Sequence, residues 1–346
     1  MATPEDFDEL SRGAILLFTD ALAKLPNDEA GLRKTLGIDF ADATSARNWR
    51  KEVSKVLLDN FRLAAKSART DYRIYLPEIA SDGSNFVEAA GQAAQNPPKE
   101  LAEWQGKAQE ILGEYARNQL RLAALLPKVS NEIRRFSDKE LTGFELPDRH
   151  FVLTFDDGPT APGGSTDQTI AALRAQNVSG IFFGLGPALQ SRLKQTPAAD
   201  LANLYKGMTL GIHGITHEPH IGKYDWQASV KQCQALADEI SGTQSPRLFR
   251  PPFGQRDADA AEILFRDGCR IVLWNIDTQD WNLKLETDHI VARAKLLMAL
   301  WRRGIILFHD ANPHASRALP LLVPEMKRTG IVFDSNLENL SDKSKR

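Results

Sequence analysis

From Phe151 onward the chain consists of short apolar runs: Phe151–Phe155, Gly180–Gly184, Thr209–His213, Leu248–Arg250, Arg270–Ile276, Gly304–His309 and Ile331–Phe333. Between them lie segments with helical periodicity, such as Asp167–Ala175, Trp226–Ile240, Ala258–Arg266 and His289–Trp301. Repeated βα units of this kind predict a parallel sheet, open or closed into a barrel. Several runs end in polar residues able to do chemistry, and barrel enzymes place such residues at the C-terminal ends of strands, where loops vary and strands fix their origins.

Residues 1 to about 145 read differently, with helical spacing throughout and no long β-branched alternation. Ser45 is a candidate cap for a helix whose stripe runs through Trp49, Val53, Val56, Leu57, Phe61 and Ala64. Asn96-Pro97 is a second helix start, followed by Leu101, Trp104, Ala108, Ile111, Tyr115, Leu122 and Leu126, with Pro127 as the stop. The stripes predict an antiparallel bundle, with core packing favoured over a ligand groove. Ser81–Asn85 and Pro97-Pro98 punctuate loops, and the polar tail Ser341–Arg346 is expected to fray.

At 346 residues the chain has room for two domains: a helical one over 1–145 and an α/β one over 146–340. A net charge of −2 gives no electrostatic case for nucleic acid. The apolar stretch Gly13–Phe18 is too short to span a bilayer. Cys233 and Cys269 form neither a disulfide framework nor a zinc knuckle and are expected to be buried free thiols. Gly184-Leu-Gly186 lacks the third glycine and acidic partner of a dinucleotide site.

The run His150-Phe-Val-Leu-Thr-Phe155 ends on adjacent carboxylates, Asp156 and Asp157. Neighbours on a strand point to opposite sides, and Gly158-Pro159 supplies a turn that lets Asp157 ligate a metal while Asp156 stays free to take a proton. His213 and His217 lie downstream, on a strand end running into a loop. One carboxylate and two imidazoles with open positions describe a catalytic metal site. Zinc is the first expectation, with Co2+, Ni2+ or Mn2+ also accommodated.

Five short segments now stand in order: Thr154-Phe-Asp-Asp-Gly158, His213 to His217, Arg250-Pro-Pro-Phe-Gly254, Asp277-Thr-Gln-Asp-Trp281 and Leu307-Phe-His309. In this order they resemble the motifs of the polysaccharide deacetylases, carbohydrate esterase family four. The resemblance implies a distorted (β/α) barrel of seven-strand type and metal-dependent removal of acetyl groups from N-acetylated sugars. It implies Asp157, His213 and His217 as metal ligands, Asp156 as general base and Arg250 as its partner. It further implies His309 as general acid held by Asp280, the Phe253 N–H as oxyanion donor, Trp281 as groove wall and Leu307 as the acetyl pocket. Two positions depart from the pattern. Gly214 stands where the second motif has Ser or Thr, so the metal loop is expected to be supported differently. Phe253 replaces a common Tyr, a change that leaves the backbone donor intact.

The expected partner is an amino-sugar polymer: peptidoglycan N-acetylglucosamine first, chitin oligomers second. A non-sugar amide, or a catalytically idle glycan-binding scaffold, is the alternative. The opening Met1–Asp6 has no basic n-region or apolar h-region. The expectation is therefore a periplasmic or secreted protein with its leader absent, or a cytosolic one. His220, just after the ligand pair, is a candidate rim contact or a core residue. His150, His289 and His314 are expected in solvent or core.

Overall fold

A computed structural model describes residues 1–66, 86, 105–242 and 247–337. The Asn96-Pro97 helix start, Leu101, Trp104, Ser81–Asn85 and Ser341–Arg346 lie outside the described residues. The chain forms two compact units. One comprises Met1–Arg134, Lys295–Arg302 and Arg328–Gly330; the other comprises Arg135–Ala294, Arg303–Lys327 and Ile331–Arg346.

The first unit is built on α1 (Pro4–Ala23), α2 (Glu29–Leu36), α3 (Ala43–Ala65) and α4 (Gln105–Leu125). Thr3 and Asp6 close a capping box on α1. Asp42, rather than Ser45, caps α3: its carboxylate accepts from Ser45 N at 2.5 Å, so the helix starts earlier than the serine suggests. Helix α1 packs on α3 and α4. The α3 stripe is buried at Trp49, Val53, Leu57, Phe61 and Ala64, with Val56 at its margin. Along α4 the buried face runs through Ala108, Ile111, Leu112, Tyr115, Ala116, Leu120 and Ala123. Leu122 and Leu126 fall off that face and are only half-buried. The helix stops at Leu125, ahead of Pro127.

The second unit carries β1 (His150–Asp156), β2 (Ile181–Gly184), β3 (Thr209–Ile212), β4 (Arg247–Phe249), β5 (Cys269–Ile271), β6 (Ile276–Asp277), β7 (Gly304–His309) and β8 (Val332–Phe333). Between them run α5 (Ser165–Ala175), α6 (Gly186–Leu193), α7 (Ala198–Tyr205), α8 (Trp226–Ser241), α9 (Ala260–Arg266), α10 (Thr287–Trp301) and α11 (His314–Arg328). All pairings are parallel, in the order β5-β4-β3-β2-β1-β7-β6. Strand β7 lies along β1 from Phe151 to Asp156, so β8 shares the other edge of β1 with β2.

Chain connectivity forces this sheet to curl. The end strands β5 and β6 are consecutive, and the link from Ile271 to Ile276 reaches at most about 18 Å. Laid flat, the same order would put them about 29 Å apart. The result is a distorted (β/α) barrel whose interior holds Leu141, Val152, Phe183, Leu248, Trp274 and Leu307.

The run Arg270–Ile276, expected as one strand, is broken into two. Leu141 inserts against its middle, donating to Ile271 O and accepting from Leu273 N. The Asn275 amide then takes over the ladder to β7, accepting from Ile305 N and donating to Arg303 O. Among the described residues no helix is long and apolar enough to cross a membrane. Cys233 and Cys269 are buried free thiols.

Candidate active site

Strands β1 and β7 place their last residues, Asp156 and His309, side by side in register. Asp156 is 2% exposed, and burial raises its pKa against the opposing charge of Arg250. Arg250, just past β4 and fully buried, donates through Nη1 to Asp156 Oδ1 at 2.8 Å and to Thr154 Oγ1 at 2.8 Å. Its other nitrogens reach Val272 O at 3.0 Å and Leu273 O at 3.1 Å, and its plane lies over Phe183. The other three bonds fix the guanidinium, and through it the Asp156 carboxylate is held in one orientation. Asp156 Oδ2 is left turned toward His213 Nε2, 3.9 Å away.

The next residue breaks out of the strand. Asp157 adopts φ 76°, so the turn begins one residue earlier than Gly158-Pro159 suggests. Asp157 Oδ1 stands 3.6 Å from His213 Nε2 and 3.5 Å from His217 Nε2. His213 Nδ1 lies 2.7 Å from Arg250 O; a carbonyl only accepts, so Nδ1 bears the hydrogen and Nε2 presents a lone pair. Burial pushes His213 down to about 3, keeping it neutral.

These three groups fit a metal ion. Asp157 Oδ1 is buried and accepts no hydrogen bond. Ligands about 2 Å from a shared tetrahedral zinc sit about 3.3 Å from each other, close to the separations found. A carboxylate with two imidazoles suits zinc and its divalent neighbours alike.

On the other side of Asp156, His309 Nδ1 bonds Asp280 Oδ1 at 2.8 Å, while Asp280 Oδ2 accepts from His309 N at 2.8 Å. Burial works to lower the His309 pKa, but the adjacent Asp280 charge and bond, with Asp156 and Asp157 beyond, raise it to about 10. His309 therefore carries a proton at neutral pH, and Nε2 is the nitrogen left to give it. Phe253, in the 3-10 turn Pro252–Gly254, has φ 59° and packs its half-exposed ring on His217. Trp281, next to Asp280, is 54% exposed. Leu307 is buried two residues before His309, on the same face of β7.

Residues 144–272 match the family described as polysaccharide deacetylase. The match is confined to that stretch, which resembles a polysaccharide deacetylase domain. The chain is 28% identical over 229 residues to a peptidoglycan-N-acetylglucosamine deacetylase of Bacillus cereus, covering 63% of this chain and 79% of that one. Over 195 residues it is 32% identical to chitin deacetylase 1 of Saccharomyces cerevisiae, covering 53% of this chain and 60% of that one. The fold is similar to the solved structure of the Bc1960 peptidoglycan N-acetylglucosamine deacetylase, with a TM-score of 0.51 and 23% identity over 59% of this chain and 93% of that one.

Around this candidate site lie residues that the motifs do not name. Asp310 is buried, with burial raising it to about 7 against bonds from Thr166 Oγ1 at 2.6 Å and Gly158 N at 3.1 Å. Gly158 has no room for more: a Cβ there would lie 2.0 Å from Asp310 Oδ2. His314 is buried, its Nδ1 2.7 Å from Asp280 O, which secures the residue that orients His309. His220 is 1% exposed, so it is a core residue and not a rim contact. His150 and His289 are half-buried, at the starts of β1 and α10. A polar residue one step after His309 and a histidine shortly beyond were the sequence signals for Asp310 and His314.

Proposed function

We propose that this polysaccharide deacetylase-like domain is a metal-dependent hydrolase that removes N-acetyl groups from an amino-sugar polymer, peptidoglycan N-acetylglucosamine first and chitin oligomers second. The observation that carries the reading is the convergence of three devices on one strand end: the Asp157–His213–His217 cluster, the buried Asp156–Arg250 pair and the Asp280–His309 pair. An acetamide has a weak electrophile and a poor leaving group, so its hydrolysis needs polarisation, an activated water and a proton at nitrogen.

A divalent cation on Asp157, His213 and His217 would supply polarisation and acidify water. Beside it, the Asp156 pKa would fall and its carboxylate would be ready at neutral pH. Asp156 Oδ2 takes a proton from the attacking water, with Oδ1 fixed by Arg250. The Phe253 N–H donates to the developing oxyanion, a contact worth roughly 3 kcal/mol in the barrier. His309 Nε2 then protonates the departing nitrogen as the C–N bond breaks, giving acetate and a free amine. Leu307 lines the space for the acetyl methyl.

Two exposed aromatics favour a polymer over a small closed-pocket amide. Phe253, 50% exposed, packs on ligand His217, and Trp281, 54% exposed, follows the residue that holds the acid. Sugar rings stack on such faces. The longer coverage of the peptidoglycan-acting relative supports placing that glycan ahead of chitin.

The deciding experiment measures acetate release from purified peptidoglycan and from chitin oligomers by zinc-loaded wild type and Asp156→Asn. Release by wild type, with a fall of at least a thousandfold in the variant, is expected. Silence on both glycans with zinc bound would redirect the search to small amides or to a binding role.

A further inference from the structure

Gly214 lies in the loop between the two histidines of the metal cluster, at φ 96°. A Cβ built there would meet His220 Cε1 at 2.7 Å, His220 Nε2 at 2.8 Å and Ser229 Oγ at 3.2 Å. The volume that a side chain at 214 would need is thus filled from elsewhere, by a buried histidine and a serine of α8.

The hydrogen bonds of these two residues have a direction. His220 Nδ1 lies 2.8 Å from Glu218 O, which can only accept, so Nδ1 donates. Nε2 of the neutral ring is then an acceptor, and the Ser229 hydroxyl, 2.9 Å away, donates to it. With its hydrogen committed, Ser229 Oγ has a lone pair for Ile215 N at 2.9 Å. Ile215 sits midway between His213 and His217. The relay therefore starts on the Glu218 carbonyl and ends on the backbone of the ligand loop. On the other side, Gly214 O accepts from Gly186 N at 2.9 Å.

The two ligands depend on this loop unequally. The His213 ring is anchored by Arg250 O at 2.7 Å. Among the described residues no hydrogen bond holds the His217 ring, which is placed by its backbone and by its neighbours Phe253, the His213 ring and Asp157 Oδ1.

We propose that His220 and Ser229 are positioning residues that brace the His213–His217 loop from within, in the space where residue 214 has no side chain, and so set the place of His217. This rests on reading Asp157, His213 and His217 as metal ligands.

The test is zinc affinity of the metal-free full chain by competition with a fluorescent chelator, at a temperature where circular dichroism shows every variant folded. Wild type, Ser229→Ala, His220→Phe, the double variant and His217→Ala are compared, with cobalt absorption spectra as a second readout. Each single variant should weaken zinc binding about tenfold. The double should be no worse than the weaker single, since one relay is broken once. The cobalt spectra of both should shift toward that of His217→Ala. Zinc affinity within twofold of wild type in folded Ser229→Ala, with His217→Ala impaired, would overturn the brace alone; that variant removes one oxygen and decides the matter if His220→Phe does not fold. Additive losses in the double would also overturn the relay. A wild type that takes no zinc would overturn the metal reading and this inference with it.

Discussion

His309 would be a poor acid without its neighbours. Burial alone lowers its pKa; the Asp280 carboxylate, bonded at 2.8 Å, reverses that and helps raise it to about 10. A folded-state pKa above the unfolded value, about 6.5, means that its contribution to stability is complete below about pH 6.5 and is lost as pH rises through about 10. In the proposed reaction the same proton would set the alkaline limb of activity. Asp280→Asn keeps the shape and removes the charge, so that limb should move down by at least about one pH unit, compared in the same metal. A pH profile of kcat/KM gives the answer, and an unmoved limb would remove His309 from the acid role. At this scale the sequence was most legible where chemistry is contiguous, as in Thr154–Gly158 and Asp277–Trp281. It was least legible where a side chain works through a distant partner. Nothing in the vicinity of His220 announces Ser229, and the Gly214 departure from the motif announced only that the loop needed other support.

Elements set the proposed oxyanion donor as residues set the proposed acid. The turn Pro252–Gly254 holds Phe253 at φ 59°, a conformation that non-glycine residues rarely adopt and that needs outside support. Arg256 provides some of it, donating from Nη1 to Gly254 O at 2.8 Å while its Nε bonds Glu140 Oε1 at 2.5 Å. Both members of this ion pair are buried. Removing one leaves a buried charge uncompensated, so Glu140→Ala should cost about 3–5 kcal/mol in urea unfolding. Glu140→Gln is the gentler probe: it should lower kcat about tenfold with little change in KM, because a mispositioned N–H is missed only in the transition state. Lost stability with kcat intact would confine the pair to folding. The βα alternation made the barrel legible, since parallel strands buried on both faces read as plain apolar runs. The split of Arg270–Ile276 was not, because the Asn275 amide replaces backbone in the ladder and its residue type carries no sign of that.

At the scale of the whole chain, the division into two units does not follow sequence order. A composition change near residue 145 suggests a single cut, yet the first unit takes in Lys295–Arg302 from the end of α10. There Asn60 Nδ2 donates to the carbonyls of Leu300 and Trp301 at 3.1 Å, capping the helix end. Trp301 Nε1 donates to Tyr115 Oη at 2.9 Å and meets Phe18 edge-on. Arg302 pairs with Asp8 at 2.8 Å, both buried. The run Leu296-Leu-Met-Ala-Leu-Trp301 is apolar on every side, the mark of a helix buried all round and the one signal that this segment had partners beyond the sheet. A chain beginning at Arg135 would keep this segment and lose Asn60, Asp8, Phe18 and Tyr115 together. Such a chain should unfold at lower urea than the full protein, bind a hydrophobic dye and aggregate on concentration. Asn60→Ala in the full chain isolates one part of that loss. It leaves two buried carbonyls without their donor and should cost about 1–3 kcal/mol without touching zinc affinity. If residues 135–346 alone matched the full chain in stability and in acetate release, Lys295–Arg302 would need nothing from the N-terminal helices. Loss of stability with acetate release per folded molecule unchanged would assign those helices to support of the fold. Loss confined to polymer, with short oligomers still turned over, would assign them to the substrate groove.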